Sequence, residues 1–174
     1  MSQVQVWFER KFDFNFPVEQ FPNLCARLRG TPARLEETLR GISRDVMIAK
    51  PGDKWSAQEH VGHLLDLESL WLARLNDLLR DVDTLATADL GNQKTNEAKH
   101  NARKLAEILA EFRAARVCLL DRAEKFKSLQ PTLLARTKLH LRLKQPMRVV
   151  DHFYFVAEHD DHHLARIWEM INMP

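Results

Sequence analysis

Lys54-Trp55-Ser56-Ala57-Gln58-Glu59-His60-Val61-Gly62-His63-Leu64-Leu65 holds the clearest helix start in the chain. Ser56 and Glu59 stand at the spacing at which each side chain reaches the other's backbone amide. Two of the donors left over at a helix start are then satisfied at once. Pro51-Gly52-Asp53 just before them reads as a turn. Beyond the start, Val61, Leu64, Leu65, Trp71, Leu72, Leu75 and Leu79 recur at helical spacing. A helix is expected from Ala57 to about Arg80.

Toward the N-terminus, Val18 to about Ile42 is also helical in pattern, with Phe21, Leu24, Cys25, Leu28, Leu35 and Leu39 apolar. Gly30-Thr31-Pro32 interrupts it. Thr31 suits an N-cap and Pro32 a first helical position, so the segment is either two short helices or one kinked helix. Residues 1–17 alternate aromatics with polar groups (Trp7, Phe8, Phe12, Phe14, Phe16) and end at Pro17. They read as an extended arm that packs its rings on the body. Toward the C-terminus, a polar stretch from Asp81 to Thr95 leads to a helix from about Asn96 to Lys127. After a breaker around Pro131 and a basic loop to Gln145-Pro146, a last helix runs from near Met147 to about Ile171. The expected fold is all-α. It is an up-down-type four-helix bundle over residues 18–174 with an N-terminal arm, in one domain of residues 1–174.

Composition narrows the function. The chain has 174 residues, and its 26 Lys plus Arg against 24 Asp plus Glu leave a net charge of +2. That balance predicts no bulk attraction to nucleic acid or to a membrane surface. No apolar run approaches the roughly 18 residues a membrane helix needs, and the first residues carry no secretory pattern. Cys25 and Cys118 form no Cys-x-x-Cys pair. They are expected as reduced thiols of a cytoplasmic protein, buried or half-buried as small hydrophobes. Arg136, Lys138, Arg142, Lys144 and Arg148 share a stretch with no acid and no stacking aromatic. It reads as a solvated loop, or as one that draws an anionic thiol or carboxylate to the bundle mouth, and not as a sequence-specific nucleic-acid reader.

The eight histidines cluster. His60 and His63 fall on the second long helix, and His152, His159, His162 and His163 on the last. Residues i and i+4 project from nearly one side of a helix, so His159 and His163 point together, as two ligands of one metal ion must. Both fall on a shoulder of the stripe defined by Val149, Phe153, Val156, Leu164, Ile167 and Ile171. His162 falls roughly 170° from the stripe's centre and is expected solvated or outside the ligand set. Asp160 projects toward the stripe, as a buried partner or as a sign that the stripe is misplaced. A third ligand would come from the second helix, where projection slightly prefers His60 to His63. The bland alternative is a set of core-edge histidines making ordinary hydrogen bonds.

With these residues in view, the chain resembles the DinB superfamily, helical bundles that include YfiT-type metal-dependent hydrolases. The likeness is carried by Lys54 to Leu64 and by Glu158-His159-Asp160-Asp161-His162-His163-Leu164-Ala165-Arg166-Ile167, and extends from about Val18 to Met173. It implies a divalent metal held by three histidines with open positions. Matched motif to motif, these are His63, His159 and His163, which sets His63 above His60. Zinc or nickel is the first expectation for the ion, with iron also admissible. The resemblance further implies a small-molecule substrate, in some members a low-molecular-weight thiol.

The leading expectation is thus a metal-dependent enzyme of thiol S-transferase or hydrolase type, the ion activating a thiol or water. The competing one is a metal- or small-ligand-binding bundle without turnover. A substrate-sized cavity beside the histidines favours the enzyme. Glu59, Asp66 and Asp160 are candidates to orient the imidazoles, and no general base is assigned. Apolar groups beyond one stripe (Leu67, Leu70, Leu78, Trp168, Met170) suggest homodimerisation through helices.

Overall fold

The computed structural model describes residues 4–127 and 135–172, without the side chains of residues 126 and 127. Its helices are α1 (Phe21–Thr38), α2 (Arg44–Ile48), α3 (Ala57–Asp77), α4 (Gln93–Glu97), α5 (Leu105–Lys127) and α6 (Val149–Ile171). Strands β1 (Lys138–His140) and β2 (Gln145–Met147) pair antiparallel, with Leu139 opposite Pro146. The architecture is a four-helix bundle of α1, α3, α5 and α6. α3 packs against α5 and α6, and α1 against the same two, so α1 and α3 occupy opposite corners. The expected breaker around Pro131 lies outside the described residues.

The expected start of α3 is met in full. Glu59 N donates to Ser56 Oγ at 3.1 Å, and Ser56 N to Glu59 Oε2 at 2.8 Å. Of the two readings open at Gly30-Thr31-Pro32, the single helix is the one found: α1 runs through Pro32. A proline has no N–H, so it leaves the carbonyl four residues earlier without its helical donor. That carbonyl belongs to Leu28, and Arg116 Nη1 on α5 donates to it at 3.2 Å. Thr31 is consequently no N-cap; its hydroxyl donates to Asp160 Oδ2 at 2.7 Å. The helix ends at Thr38, short of Ile42, and the chain turns at Gly41, whose φ of 78° suits glycine.

The third long helix begins at Leu105, later than the expected Asn96. Asn92 and Lys99 take left-handed φ values of 53° and 50°, which bound α4 and prevent one continuous helix. The basic loop is in part the β1–β2 hairpin, and Leu85 N and Leu139 N bond across to Leu139 O and Asp83 O. Cys25 lies in the core as expected, whereas Cys118 is on the surface of α5. Leu78 and, more partially, Leu67 and Leu70 serve the chain's own core. Of the apolar groups expected to support a dimer, Trp168 alone is exposed.

The core is in two parts with a polar layer between them. Leu28, Trp71, Leu75, Leu119, Phe153 and Val156 belong to one part, and Leu35, Val61, Leu64, Phe112 and Ile167 to the other. Between them each long helix contributes one buried polar residue: Thr31 from α1, Glu68 from α3, Arg116 from α5 and Asp160 from α6. Arg116 donates to Glu68 Oε1 at 2.6 Å and to Asp160 Oδ2 at 2.6 Å, and no donor of its guanidinium is left buried without a partner. Burial works against its charge, but Asp160 and Glu68 outweigh burial and hold its pKa above the usual arginine value. Asp160 is therefore an inward-facing partner, one of the two readings its projection allowed.

The N-terminal arm covers α6. Phe12 is buried, and Phe14 and Phe16 pack on Tyr154. Arg148 Nη2 bonds the carbonyls of Phe14 and Phe16 at 3.0 Å each, and Arg10 pairs with Glu158. The arm also carries Trp7 to the histidines.

Candidate metal centre and its cavity

His63 on α3 meets His159 and His163, one turn apart on α6. All three are buried, and one ring nitrogen from each lies within 4.8 Å of the others. The Nε2 atoms of His159 and His163 are 3.2 Å apart. The His63 ring centroid is 5.4 Å from that of His159 and 4.8 Å from that of His163.

Hydrogen bonds behind the rings decide which nitrogens face inward. Thr95 Oγ1 has a single hydrogen and donates it to Asp66 Oδ2 at 2.9 Å. At 3.0 Å from His63 Nδ1 it must therefore accept, which puts the ring proton on Nδ1 and leaves a lone pair on Nε2. His100 Nε2 also meets Asp66 Oδ2, at 2.8 Å, so one carboxylate fixes both groups. On the other side, His163 Nδ1 lies 2.8 Å from His60 Nδ1. Gly62 makes this arrangement feasible, because a Cβ there would lie 2.2 Å from His100 Cδ2.

Burial, with neighbouring imidazoles adding to it, lowers the His63 pKa to about 3 and holds those of His159 and His163 well below the ordinary histidine value. All three are neutral near pH 7, the form that binds a metal ion. Three convergent neutral imidazoles with a hydrogen-bonded second shell fit a divalent ion. His159 Nδ1, buried and without a hydrogen-bond partner among the described residues, is the one back position left open.

Of the three candidate carboxylates, Asp66 reaches a histidine through Thr95. Glu59 caps α3 and pairs with Lys50 at 2.9 Å, and Asp160 pairs with Arg116. His60, which projection slightly preferred, is half-buried as the partner of His163. His162, expected solvated or outside the ligand set, is half-buried beside that set, its ring 5.6 Å from Trp7 and 5.3 Å from His163. The sequence pattern singles out neither Thr95 nor His100 for the site.

A cavity of about 530 Å³ adjoins the three histidines. Trp55 stands 4.6 Å from His63 between ring centroids, and Trp7 and Trp71 stand 5.0 and 5.5 Å from His159. Leu67, Leu85 and Phe155 extend the apolar wall, and Phe8 and Leu90, both exposed, lie at its outer edge.

A family model of the DinB superfamily matches residues 27–167. The chain belongs to the DinB superfamily. Among solved structures, it is similar to YfiT from Bacillus subtilis, described as a probable metal-dependent hydrolase with an unusual four-helix bundle topology. The TM-score is 0.75 at 19% identity, over 93% of this chain and 91% of that one. This likeness carries the fold of the DinB protein. No curated protein matches it significantly. No helix among the described residues is long and apolar enough to cross a membrane.

Proposed function

We propose that this DinB-superfamily protein is a metal-dependent enzyme acting on a small molecule, with His63, His159 and His163 as the ligands of a divalent ion. One observation carries the reading. Three buried imidazole nitrogens lie within 4.8 Å of one another at the wall of a cavity large enough for a substrate. A three-histidine set leaves coordination positions open, as catalytic centres do. A bound zinc or nickel ion would supply Lewis-acid chemistry, lowering the pKa of a water or low-molecular-weight thiol or polarising a substrate oxygen.

The chain's own groups have separable tasks in this reading. Asp66 and Thr95 hold His63 in its Nδ1–H form, and His60 does the same for His163. Trp7, Trp55 and Trp71 exclude water and give the substrate an apolar bed. His162, kept neutral by burial with a pKa of about 4, can accept a proton beside the centre, whereas the Nδ1 lone pair of His60 is already taken up by His163. YfiT's description as a probable metal-dependent hydrolase agrees with hydrolysis, and thiol transfer is the second chemistry the same site could serve.

The test is elemental analysis of protein purified without a nickel column, beside a His159→Ala/His163→Ala variant. About one equivalent of divalent metal in the wild type, lost in the variant, is the expected result. Metal-loaded protein is then assayed with thiols plus electrophiles and with esters and amides. Absence of metal, with no uptake of added zinc or nickel, would sink the proposal.

A further inference from the structure

Along α3, His63, Leu67, Trp71 and Arg74 all line the cavity. They recur at helical spacing, so one wall runs from the histidines to an arginine, roughly 16 Å along the helix axis. Trp71 stands between the two ends, its ring 5.5 Å from that of His159 and 5.4 Å from Arg74 Cζ. Arg142 reaches the same end from the hairpin turn.

Among the described residues, neither Arg74, which is buried, nor Arg142, which is half-buried, has the charged partner that an enclosed charge requires. Arg74 is only 3% exposed, and among the described residues its side chain makes one hydrogen bond, from Nε to Ala86 O at 2.8 Å. Arg142 makes none among the described residues. It lies over the Phe8 and Phe155 rings, at 5.2 and 6.0 Å, and its Nη2 is buried without a partner. No carboxylate among the described residues pairs with either. Asp89, the one acid lining the cavity, accepts instead from Gly91 N and Gln93 N of its own turn. Asp77 is occupied by Ala86 N at 2.8 Å and acts on Arg74 only through space. Burial, followed by the charge of Arg142, lowers the Arg74 pKa to about 10, and burial lowers that of Arg142. The neighbouring His140 is neutral, lowered to about 4 by burial and by both arginines.

We propose that Arg74 and Arg142 form a binding site for the anionic group of the substrate, a carboxylate or phosphate on a small organic molecule with an apolar body. Guanidinium donors match either anion, and Trp71 and Phe155 offer the body a surface beside both ends of the cavity. The inference rests on the proposed function for what happens at the histidine end. The anion contact is measurable without turnover.

The test uses full-length protein stripped of metal with EDTA, so that no probe binds through an ion. Calorimetry at low salt follows 3-phenylpropanoate, phenyl phosphate and the neutral 3-phenylpropanamide. At least one anion is expected to bind about tenfold or more tightly than the amide. That preference disappears in Arg142→Gln and survives in part in Arg142→Lys. The preferred anion tells carboxylate from phosphate. The Arg142 side chain makes no hydrogen bond among the described residues, so both variants should keep the wild-type circular dichroism and melting temperature. Equal binding of all three probes, binding of none, or a preference that outlives Arg142→Gln overturns the inference. Zinc uptake without anion selection would defeat this inference alone. Anion selection without zinc uptake would uphold it and defeat the metal centre.

Discussion

Arg116 and Arg142 are both drawn toward the interior of the bundle, one at the polar layer and the other at the cavity wall. Around Arg116, Glu68, Asp160 and the Leu28 carbonyl accept from all three guanidinium nitrogens. Around Arg142 there are aromatic faces and no acceptor among the described residues. Arg116 is a closed account of charge, fixed at the moment of folding, and it belongs to stability. Arg142 is a charge whose partner must arrive from outside. The same contrast runs through the histidines, whose rings are held from behind at Nδ1 in His63 and His163 while their other faces meet the cavity. A satisfied polar group deep in the core and an unsatisfied one half-buried at the cavity wall differ in purpose.

The largest effect should come from opening the closed side. Arg116→Met strands two buried carboxylates and should cost about 3–5 kcal/mol in chemical denaturation. A loss below about 1 kcal/mol would mean that the layer is not what holds the four helices together. The next effect is acid sensitivity. Burial lowers the pKa of His152 to about 3, that of His63 to about 3, and those of His60, His140 and His162 to about 4. The unfolded chain, with pKa values near 6.5, therefore takes up protons first as pH falls. Stability of the metal-free protein is complete above about pH 6.5 and is lost toward pH 4, with a slope near 1.4 kcal/mol per pH unit for each proton taken up. Glu68, pushed up to about 7 chiefly by burial, works in the opposite direction between 4.5 and 7, but as one group against several. Urea midpoints that stay flat from pH 7.5 to 5.0 would contradict this. The smallest effect belongs to the open side. Arg142→Gln should leave stability within about 0.5 kcal/mol, since no native bond is lost, and a loss of 2 kcal/mol would reclassify Arg142 with Arg116.

The long helices were legible because their signals are local: a capping box at Ser56 and Glu59, and apolar groups at helical spacing. The choice between one helix and two at Pro32 was not, because what satisfies the carbonyl that Pro32 leaves open is a guanidinium on another helix. The delayed start of α5 depends on left-handed turns at Asn92 and Lys99, residues with no obligatory turn signature. The meeting of His159 with His163 followed from their spacing. The choice of His63 over His60 did not, since both face the same neighbourhood, and it came from the motif likeness alone. Thr95, His100 and Arg74 were out of reach for one reason. Each acquires its role from the connection between α3 and α5 folded back on α3, and periodicity says nothing about how a connection folds back.

The polar layer has a consequence for the order of assembly. Asp160 directly follows His159, and Glu68 lies little more than a turn beyond His63. Arg116 binds both carboxylates, so sliding α3 or α6 by one turn would separate charges in the middle of the bundle. The depth at which the histidines meet is thus set by a clamp that contains no histidine. An ion joining them would enter a frame already set by that clamp. The metal supply around the protein would then govern which ion it carries.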